Sequence, residues 1–286
     1  MVNLGRAAAI LVVLTAGQAS AKPPVQSVSL TLPADAFKLS GPVQMQLAAI
    51  PANVPVESVS LDLDLRPLAM PRAPSSALTA RLQQTLTPEL AKNFDLFLYV
   101  SKAARGPIAQ HMYVFRRRMN GAFDLLHDWP VSTGRERVER NALGIQRFTA
   151  TPPGYYELDP QRIFADYHSV SWDEPMPHAM FFDAWHKGAR VGLAIHAADD
   201  AGIEALGGRA SAGCVRLSPE HARVLFQLVN AQYRGRVPRL AYDSATRSTR
   251  RDGALMRDEQ GGLQFREGYR VLVVIEDFGG KDIATQ

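Results

Sequence analysis

HAADDAGIEALGGRASAGCVRL, residues 196–217, contains the only cysteine of a 286-residue chain. His196 follows an apolar, strand-like run that begins at Val191, and Cys214 follows the small residues 211–213. A strand end beside a loop can hold a histidine rigidly and still leave it open to solvent, as a catalytic base requires. The stretch therefore combines a candidate base with a candidate nucleophile.

The thiol and the imidazole each have other interpretations. A lone cysteine cannot form an internal disulfide, so Cys214 is buried and inert, paired with another chain, or reactive. Backbone N–H groups in a tight glycine turn near a helix start can stabilise a thiolate and later an oxyanion, which favours reactivity. A single histidine is more often a packed or surface residue. No metal site is predicted, because His178, His186 and His196 lack HExxH spacing and a carboxylate at the required place.

Two helices are predicted outside this stretch. Ser218 is a good N-cap, an apolar stripe continues to Val229, and Gly235 is expected to close the helix. Residues 76–93 are predicted as helix with a restart at Thr87, where threonine caps and Pro88 takes the first helical position.

Most of the remaining chain has the composition of strands. Alternation at 59–65 predicts a strand with one buried face, and residues 243–265 are predicted as a solvated linker. The stretch 178–197 is expected to form a hairpin around Lys187-Gly188. The predicted class is a mixed α/β, β-rich fold with few helices. Its other strands are expected at 94–100, 109–117, 123–134, 151–158, 236–242 and 269–278, the last of which can return to the main sheet.

The N-terminus has the features of a secretory signal. Arg6 supplies a positive charge, residues 7–17 are apolar but too short to span a bilayer, and residues 19–21 form an A-x-A cleavage site. A buried N-terminal helix is the alternative. Cleavage after residue 21 would leave no transmembrane anchor, since no later segment is apolar for long enough. We expect an exported protein that is periplasmic or associated with the cell wall.

The charge of the chain is mildly basic. The formal net charge of +4 becomes +3 when Arg6 is removed with the signal, and the sequence pI is about 9.3. Such a protein is attracted to anionic polymers or membrane surfaces. Nucleic acid is not an expected partner outside the cytoplasm, and no dense block of Lys and Arg occurs.

The segment 196–217 closely resembles the signature of the YkuD-type L,D-transpeptidase family. In that signature a strand-borne histidine and a loop precede S-x-G-C, an aliphatic residue, Arg or Asn, and a second aliphatic residue. VSTG (131–134) and TPPGYY (151–156) are similar to the family's substrate-side loops and occur in the expected order. The resemblance covers residues 94–242, a typical domain size. The matching motif residues are Ser211, Gly213, Cys214, Val215, Arg216 and Leu217.

The resemblance implies a β-sandwich or barrel catalytic domain with a cysteine nucleophile. Cys214 would attack the substrate, His196 would be its base, and the backbone carbonyl of Ala197 would orient the imidazole. No cofactor and no metal are implied. The oxyanion-hole and orienting group would comprise Ser211 and the amides of Ala212, Gly213 and Cys214.

Two further residues are assigned to the substrate by the resemblance. Arg216 can bind a substrate carboxylate, with a structural salt bridge behind the loop as an equal alternative. His178 can line the cleft, with a partly exposed strand residue as the alternative. Ala212 departs from the many relatives that carry a second histidine there. Its N–H remains, but a side-chain contribution to the thiol pKa or to donor binding is in doubt.

The implied reaction is acyl transfer on peptidoglycan stem peptides through a thioester, giving 3–3 crosslinks. An L,D-carboxypeptidase or another hydrolase of peptidoglycan peptides is the alternative within the fold, and a non-catalytic peptidoglycan-binding protein is the alternative outside it. The expected domains are a signal peptide (1–21), a small strand-rich N-terminal accessory region (22–93), the catalytic domain (94–242) and a C-terminal extension (243–286).

Overall fold

The computed structural model describes residues 76–106 and 108–277. The strand predicted at 59–65, the signal peptide and most of the predicted N-terminal region lie outside these residues. Within them the helices are α1 (Ser76–Thr85), α2 (Pro88–Asn93), α3 (Asp200–Glu204) and α4 (Pro219–Gln232). The strands are β1 (Leu96–Ser101), β2 (His111–Arg117), β3 (Phe123–Pro130), β4 (Thr133–Gly134), β5 (Val138–Arg140), β6 (Gln146–Phe148), β7 (Gly154–Phe164), β8 (His168–Ser169), β9 (Glu174–Pro175), β10 (Ala179–Phe182), β11 (Trp185–His186), β12 (Ala189–Arg190), β13 (Ala194–Ala197), β14 (Arg209–Ser211), β15 (Val215–Leu217), β16 (Arg234–Pro238), β17 (Tyr242–Asp243), β18 (Ser248–Thr249), β19 (Phe265–Tyr269) and β20 (Val271–Glu276).

An eight-stranded sheet with the order β15-β13-β10-β7-β20-β1-β2-β3 forms the centre of the fold. The pairs β1–β20 and β13–β15 are parallel, and the other neighbours are antiparallel. The two ends of the sheet approach each other, because Ser132, just after β3, exchanges backbone hydrogen bonds of 3.0 and 2.9 Å with Arg216 of β15. A sheet whose end strands meet is nearly closed into a barrel. The predicted β-rich class with few helices is confirmed.

The first two helices pack on one face of this sheet. Thr87 caps α2 by accepting a hydrogen bond of 3.2 Å from the Leu90 N–H, and Pro88 occupies the first turn. The predicted helix with a restart at Thr87 is confirmed. Leucines four residues apart through both helices and their junction are buried together with Phe97 and Tyr99 of β1: Leu78, Leu82, Leu86 and Leu90.

Helix α4 covers the opposite face at the β13–β15 end. Ser218 accepts a hydrogen bond of 3.2 Å from the His221 N–H, as its predicted cap role requires. The buried stripe Ala222, Leu225 and Val229 packs on Ile195 and its neighbours, and full burial of each large side chain stabilises the fold by about 1.5–3 kcal/mol. The helix ends at Gln232, so the predicted stop at Gly235 is wrong. Tyr233 caps the helix through its N–H, and Gly235 already lies in β16.

The hairpin predicted around Lys187-Gly188 is confirmed. Strands β11 and β12 pair directly across these two residues, whose φ angles of 51° and 78° are both positive. Two-residue turns with positive φ match the twist of the strands that they join. The base of the hairpin continues as the β10–β13 pair, with Met180 opposite Ile195.

The C-terminal part of the described chain is structured throughout. Strand β20 lies between β7 and β1, so the expected return of the last strand to the sheet is confirmed. The predicted solvated linker is wrong: residues 243–265 contain β18, and bridges join Leu240 to Leu255 and Arg257 to Leu263. Scattered apolar residues explain the difference, because Leu255 is buried among the side chains that cover α1 and α2.

Candidate active site

The histidine and the cysteine of the motif lie on neighbouring parallel strands. His196 of β13 is paired with Arg216 of β15, and Cys214 immediately precedes β15. Side chains alternate along strands, so His196, Arg216 and Cys214 project from one face, while Ile195 and its neighbours point into the α4 core. Among the described residues the Cys214 thiol is hydrogen-bonded to the Gly192 carbonyl and not to the His196 ring. The structure thus brings the predicted base and nucleophile to one face.

The His196 ring is buried and fixed by its own strand. Its Nδ1 lies 2.7 Å from the carbonyl oxygen of Ala197. A carbonyl can only accept, so Nδ1 carries the proton and Nε2 has a free lone pair. Burial lowers the pKa of His196 to about 4, and the charge of Arg216 acts in the same direction. The imidazole is therefore neutral at pH 7 and able to take up a proton.

The Cys214 thiol is half-buried and protonated at rest. Its Sγ lies 3.8 Å from the Gly192 carbonyl oxygen, to which the S–H can donate. Burial raises the pKa of the thiol to about 11, although the Ala194 N–H and Arg216 oppose this shift. The expected stabilisation of a thiolate by the helix start is absent. The three residues of β15 place α4 about 10 Å further along the chain, beyond the reach of its first amides.

An apolar wall flanks the sulfur. Cys214 packs against a small cluster on the side of the sheet away from α4, which includes Phe181 and Ala194. Phe164 and Tyr167 are stacked with centroids 5.2 Å apart, and the Tyr167 ring meets Phe181 edge to face at 5.0 Å. The wall accounts for the desolvation that raises the thiol pKa.

Two buried hydroxyls define the turn before the cysteine. Ser211 Oγ accepts a hydrogen bond of 3.0 Å from the Gly213 N–H and donates one of 2.6 Å to the Cys214 carbonyl. Thr151 Oγ1 donates to the Gly213 carbonyl at 2.6 Å and accepts from the Gly134 N–H at 2.8 Å. Gly213 has a φ of 129°, and a Cβ there would lie 2.8 Å from the Ala150 carbonyl oxygen, so the position requires glycine.

This bonding changes the expected oxyanion hole. The Gly213 N–H is already used by Ser211, so it is not available to a substrate oxygen, contrary to the prediction. The N–H groups of Ala212 and Cys214 have no acceptor among the residues that the structure describes. The turn therefore offers two free amides in place of the predicted three.

Arg216 is engaged within the protein. It is buried and forms an ion pair with Glu174 of β9. The structure thus favours the salt-bridge alternative over a substrate carboxylate. The pair ties the β8–β9 hairpin to the strand beside the cysteine. Glu174 carries no sequence signal that could have identified this contact, since it lies 42 residues away along the chain.

His178 does not lie beside the other predicted site residues. It has a φ of 56° in the turn before β10, and its ring faces Phe226 of α4 with centroids 5.3 Å apart. Because α4 covers the opposite face of the sheet from Cys214, the prediction that His178 lines the cleft is wrong. Strand alternation gives the same direction, because His178 is in phase with Met180 and Phe182, which point into the α4 core.

The two loops singled out in the sequence meet at the cysteine turn. Gly134 ends VSTG and Thr151 begins TPPGYY. The Thr151 hydroxyl accepts from the Gly134 N–H and donates to the Gly213 carbonyl, so it links both loops to the turn. The resemblance assigned both loops to the substrate side, but nothing in the sequence indicated that the Thr151 hydroxyl is hydrogen-bonded to the cysteine turn. The partners of this buried hydroxyl lie 17 and 62 residues away along the chain, so no local sequence pattern reveals the contact.

Comparison with known proteins identifies the family. Residues 100–255 match the model of YkuD, the L,D-transpeptidase catalytic domain, and this range includes His196, Cys214 and both loops. The chain therefore belongs to the L,D-transpeptidase catalytic-domain family, a family of enzymes. No curated protein matches the chain.

Solved structures similar to this one include three from different bacteria. An L,D-transpeptidase of Xylanimonas cellulosilytica DSM 15894 (residues 123–326) is 15% identical with a TM-score of 0.35, and covers 70% of this chain and 69% of its own. An L,D-transpeptidase of Mycobacterium smegmatis is 13% identical with a TM-score of 0.34, over 64% and 59%. The helical cell shape determining protein Pgp2 of Campylobacter jejuni is 12% identical with a TM-score of 0.35, over 68% and 54%. The chain thus spans between about half and two thirds of the length of these proteins.

Proposed function

We propose that this protein is a cysteine-dependent L,D-transpeptidase that acts on peptidoglycan stem peptides through a thioester acyl-enzyme. One observation carries the proposal: His196 and Cys214 share a face of two adjacent parallel strands, with His196 Nδ1 bound to the Ala197 carbonyl. That bond supplies what a third catalytic member must supply, a fixed tautomer and a fixed ring direction.

The reaction proceeds by two acyl transfers. The Cys214 sulfur attacks the carbonyl carbon at the L-centre of the third stem residue while His196 Nε2 takes the thiol proton. The new C–S bond forms, the C–N bond to D-Ala breaks, and the imidazolium gives its proton to the departing amine. The side-chain amine of a second stem then attacks the thioester, its proton passes to His196, and the thiolate leaves and is reprotonated.

The resting charges favour proton transfer that accompanies attack. Burial keeps both the thiol and the imidazole neutral, since it raises the pKa of Cys214 to about 11 and lowers that of His196 to about 4. A charged pair would therefore form only when the substrate oxygen also becomes negative. The free amides of Ala212 and Cys214 would stabilise that oxygen.

The proposed location is outside the cytoplasm, in the periplasm or at the cell wall, where peptidoglycan lies. The predicted signal peptide supports this location. Within residues 76–106 and 108–277, no helix has the length and apolar character that crossing a membrane needs. A mildly basic chain also suits a wall polymer that carries free carboxylates.

Purified protein incubated with tetrapeptide muropeptides tests the proposal, with products identified by mass spectrometry. Crosslinked dimers with loss of D-Ala support transpeptidation, and tripeptides without dimers identify an L,D-carboxypeptidase instead. Cys214→Ser and His196→Asn should abolish both products. Unchanged dimer formation by Cys214→Ala would overturn the proposed nucleophile.

A carbapenem provides a second test that needs no acceptor. Intact-mass measurement should show one acyl adduct on the folded protein, and none on Cys214→Ala. An adduct that forms only after unfolding would identify an inert thiol and leave peptidoglycan binding without catalysis as the remaining function.

A further inference from the structure

A cavity of about 370 Å³ lies apart from the cysteine turn. None of its lining residues belongs to the site described above. One wall comes from the sheet and the β11–β12 hairpin, and the other comes from the segment between β16 and β19. The lining residues are Glu157, Asp183, Trp185, Arg239, Leu240, Tyr242, Thr249 and Met256.

Two buried carboxylates form the floor of the cavity. Arg266 bridges them, with Nη2 at 2.9 Å from Glu157 and Nη1 at 2.5 Å from Asp183. The Leu240 N–H donates to the second Glu157 oxygen at 2.7 Å. Both oxygens of Glu157 are therefore satisfied, whereas Asp183 Oδ1 has no donor among the described residues. Asp183 thus offers one acceptor to a ligand.

Two aromatic side chains stand at the mouth. Trp185 and Tyr242 are 37% and 40% exposed, so part of each ring is open to solvent. The backbone N–H of Trp185 donates to the Thr249 hydroxyl at 3.0 Å and so joins the β11–β12 and β17–β18 hairpins. The Arg190 guanidinium lies 5.6 Å from the indole centroid. The rings offer apolar faces beside polar groups, as a half-polar ligand needs.

The charges of the cavity balance. The guanidinium of Arg239 has no hydrogen bond or ion pair to the part of the chain that the structure describes. Arg239 and Arg266 face the two acidic side chains Glu157 and Asp183, so the lining carries little net charge even when Glu157, whose pKa burial raises to about 7, is partly protonated. A strongly charged ligand would gain little from such a lining. Groups that both donate and accept, such as hydroxyls, can use Asp183 and Arg239 at once.

We propose that this cavity binds a neutral saccharide ring, with its C–H face on Trp185 or Tyr242 and its hydroxyls on Asp183 and Arg239. The size is within the range of small-ligand sites. The proposal rests on the proposed function for its biological meaning: the saccharide would be a glycan unit of the polymer whose peptides react at Cys214.

The position of the cavity is consistent with binding a glycan unit whose attached peptide reacts at Cys214. Asp183 lies two residues after Phe181, and Phe181 packs in the same cluster as Cys214. Strand alternation places Phe181 and Asp183 on one face of the sheet. The cavity and the thiol therefore lie on the same side of β10, so a glycan and the peptide attached to it could occupy both.

Calorimetry with the peptide-free tetramer of N-acetylglucosamine tests the proposal on the full exported chain. Saturable binding is expected, and Trp185→Ala and Arg239→Gln should each weaken it at least tenfold. Phe265→Ala is the matched control, because Phe265 is also 37% exposed but does not line the cavity. Thermal unfolding of each variant verifies that the fold is retained.

Two results would overturn the saccharide site: no binding by the wild-type protein, or wild-type affinity in both cavity variants. The carbapenem adduct on Cys214 should form at the wild-type rate in Trp185→Ala, since the cavity does not contact the thiol. A wild-type protein that binds the tetramer but forms no carbapenem adduct would instead contradict the proposed transpeptidase chemistry alone.

Discussion

Replacing Thr151 by valine should loosen the turn that carries the proposed nucleophile. Thr151 is fully buried, and its hydroxyl donates to the Gly213 carbonyl at 2.6 Å and accepts from the Gly134 N–H at 2.8 Å. Valine has nearly the same shape but neither donates nor accepts. The substitution therefore leaves two buried backbone groups without partners, and one of them belongs to the residue before Cys214.

The expected cost follows from those two groups. A buried polar group that loses its partner costs about 1–3 kcal/mol, so Thr151→Val should lower the free energy of unfolding by about 2–6 kcal/mol. Thr151→Ser keeps the hydroxyl and loses one methyl group, which costs about 1 kcal/mol. Urea denaturation of both variants measures the difference.

Thr149→Val is the control that separates the turn from general stability. Thr149 is also fully buried, but its hydroxyl bonds the Arg137 backbone at 3.0 and 3.3 Å, away from the cysteine turn. Both valine variants should be destabilised, whereas the rate of carbapenem acylation at Cys214 should fall at least tenfold only in Thr151→Val. Equal acylation rates in the two folded variants, or a Thr151→Val stability equal to that of Thr151→Ser, would refute the reasoning.

Three further changes have defined expectations. Burial raises the pKa of Glu157 to about 7 from an ordinary 4.5, so the unfolded chain releases this proton first and stability falls as pH rises from 4.5 to 7. Glu157→Gln should remove about 3 kcal/mol of that fall, measured by urea denaturation at both ends of the range. Ser218→Ala should cost about 1 kcal/mol through loss of the α4 cap, measured in the same way. Gly134→Ala should cost about 1–3 kcal/mol or prevent folding, because its Cβ would lie 2.2 Å from the Thr149 carbonyl oxygen; a melting temperature equal to that of wild type would contradict this.

The local elements of the fold could be predicted because each carries its signal in a few adjacent residues. Thr87 and Ser218 cap helices through hydrogen bonds only three residues long. Lys187-Gly188 makes a two-residue turn between strands that pair directly. The linker prediction for the polar segment 243–265 was wrong because the signal there is not local. Leu255 is buried against α1 and α2, which lie more than 150 residues earlier in the chain.

For the site, the sequence predicted only the two groups that are proposed to react. The motif identified His196 and Cys214, and the geometry around them depends on partners far along the chain. Glu174 pairs with Arg216, and Thr151 supports Gly213, through contacts that no sequence window contains. His178 shows the converse error: the resemblance assigned it to the cleft, whereas its ring packs on Phe226 of α4.

Burial explains why the proposed nucleophile stays protonated in the absence of substrate. The same low-dielectric surroundings that raise the pKa of the Cys214 thiol lower the pKa of the His196 imidazole, so neither group is charged at neutral pH. A neutral thiol resists oxidation better than a thiolate, which would suit the location proposed here, outside the cytoplasm. In the proposed reaction the cost of separating charge would be offset where the substrate oxygen becomes negative, at the amides of Ala212 and Cys214. Because Ser211 and Thr151 fix the turn that carries those amides, we expect these two buried hydroxyls to control how far the barrier falls.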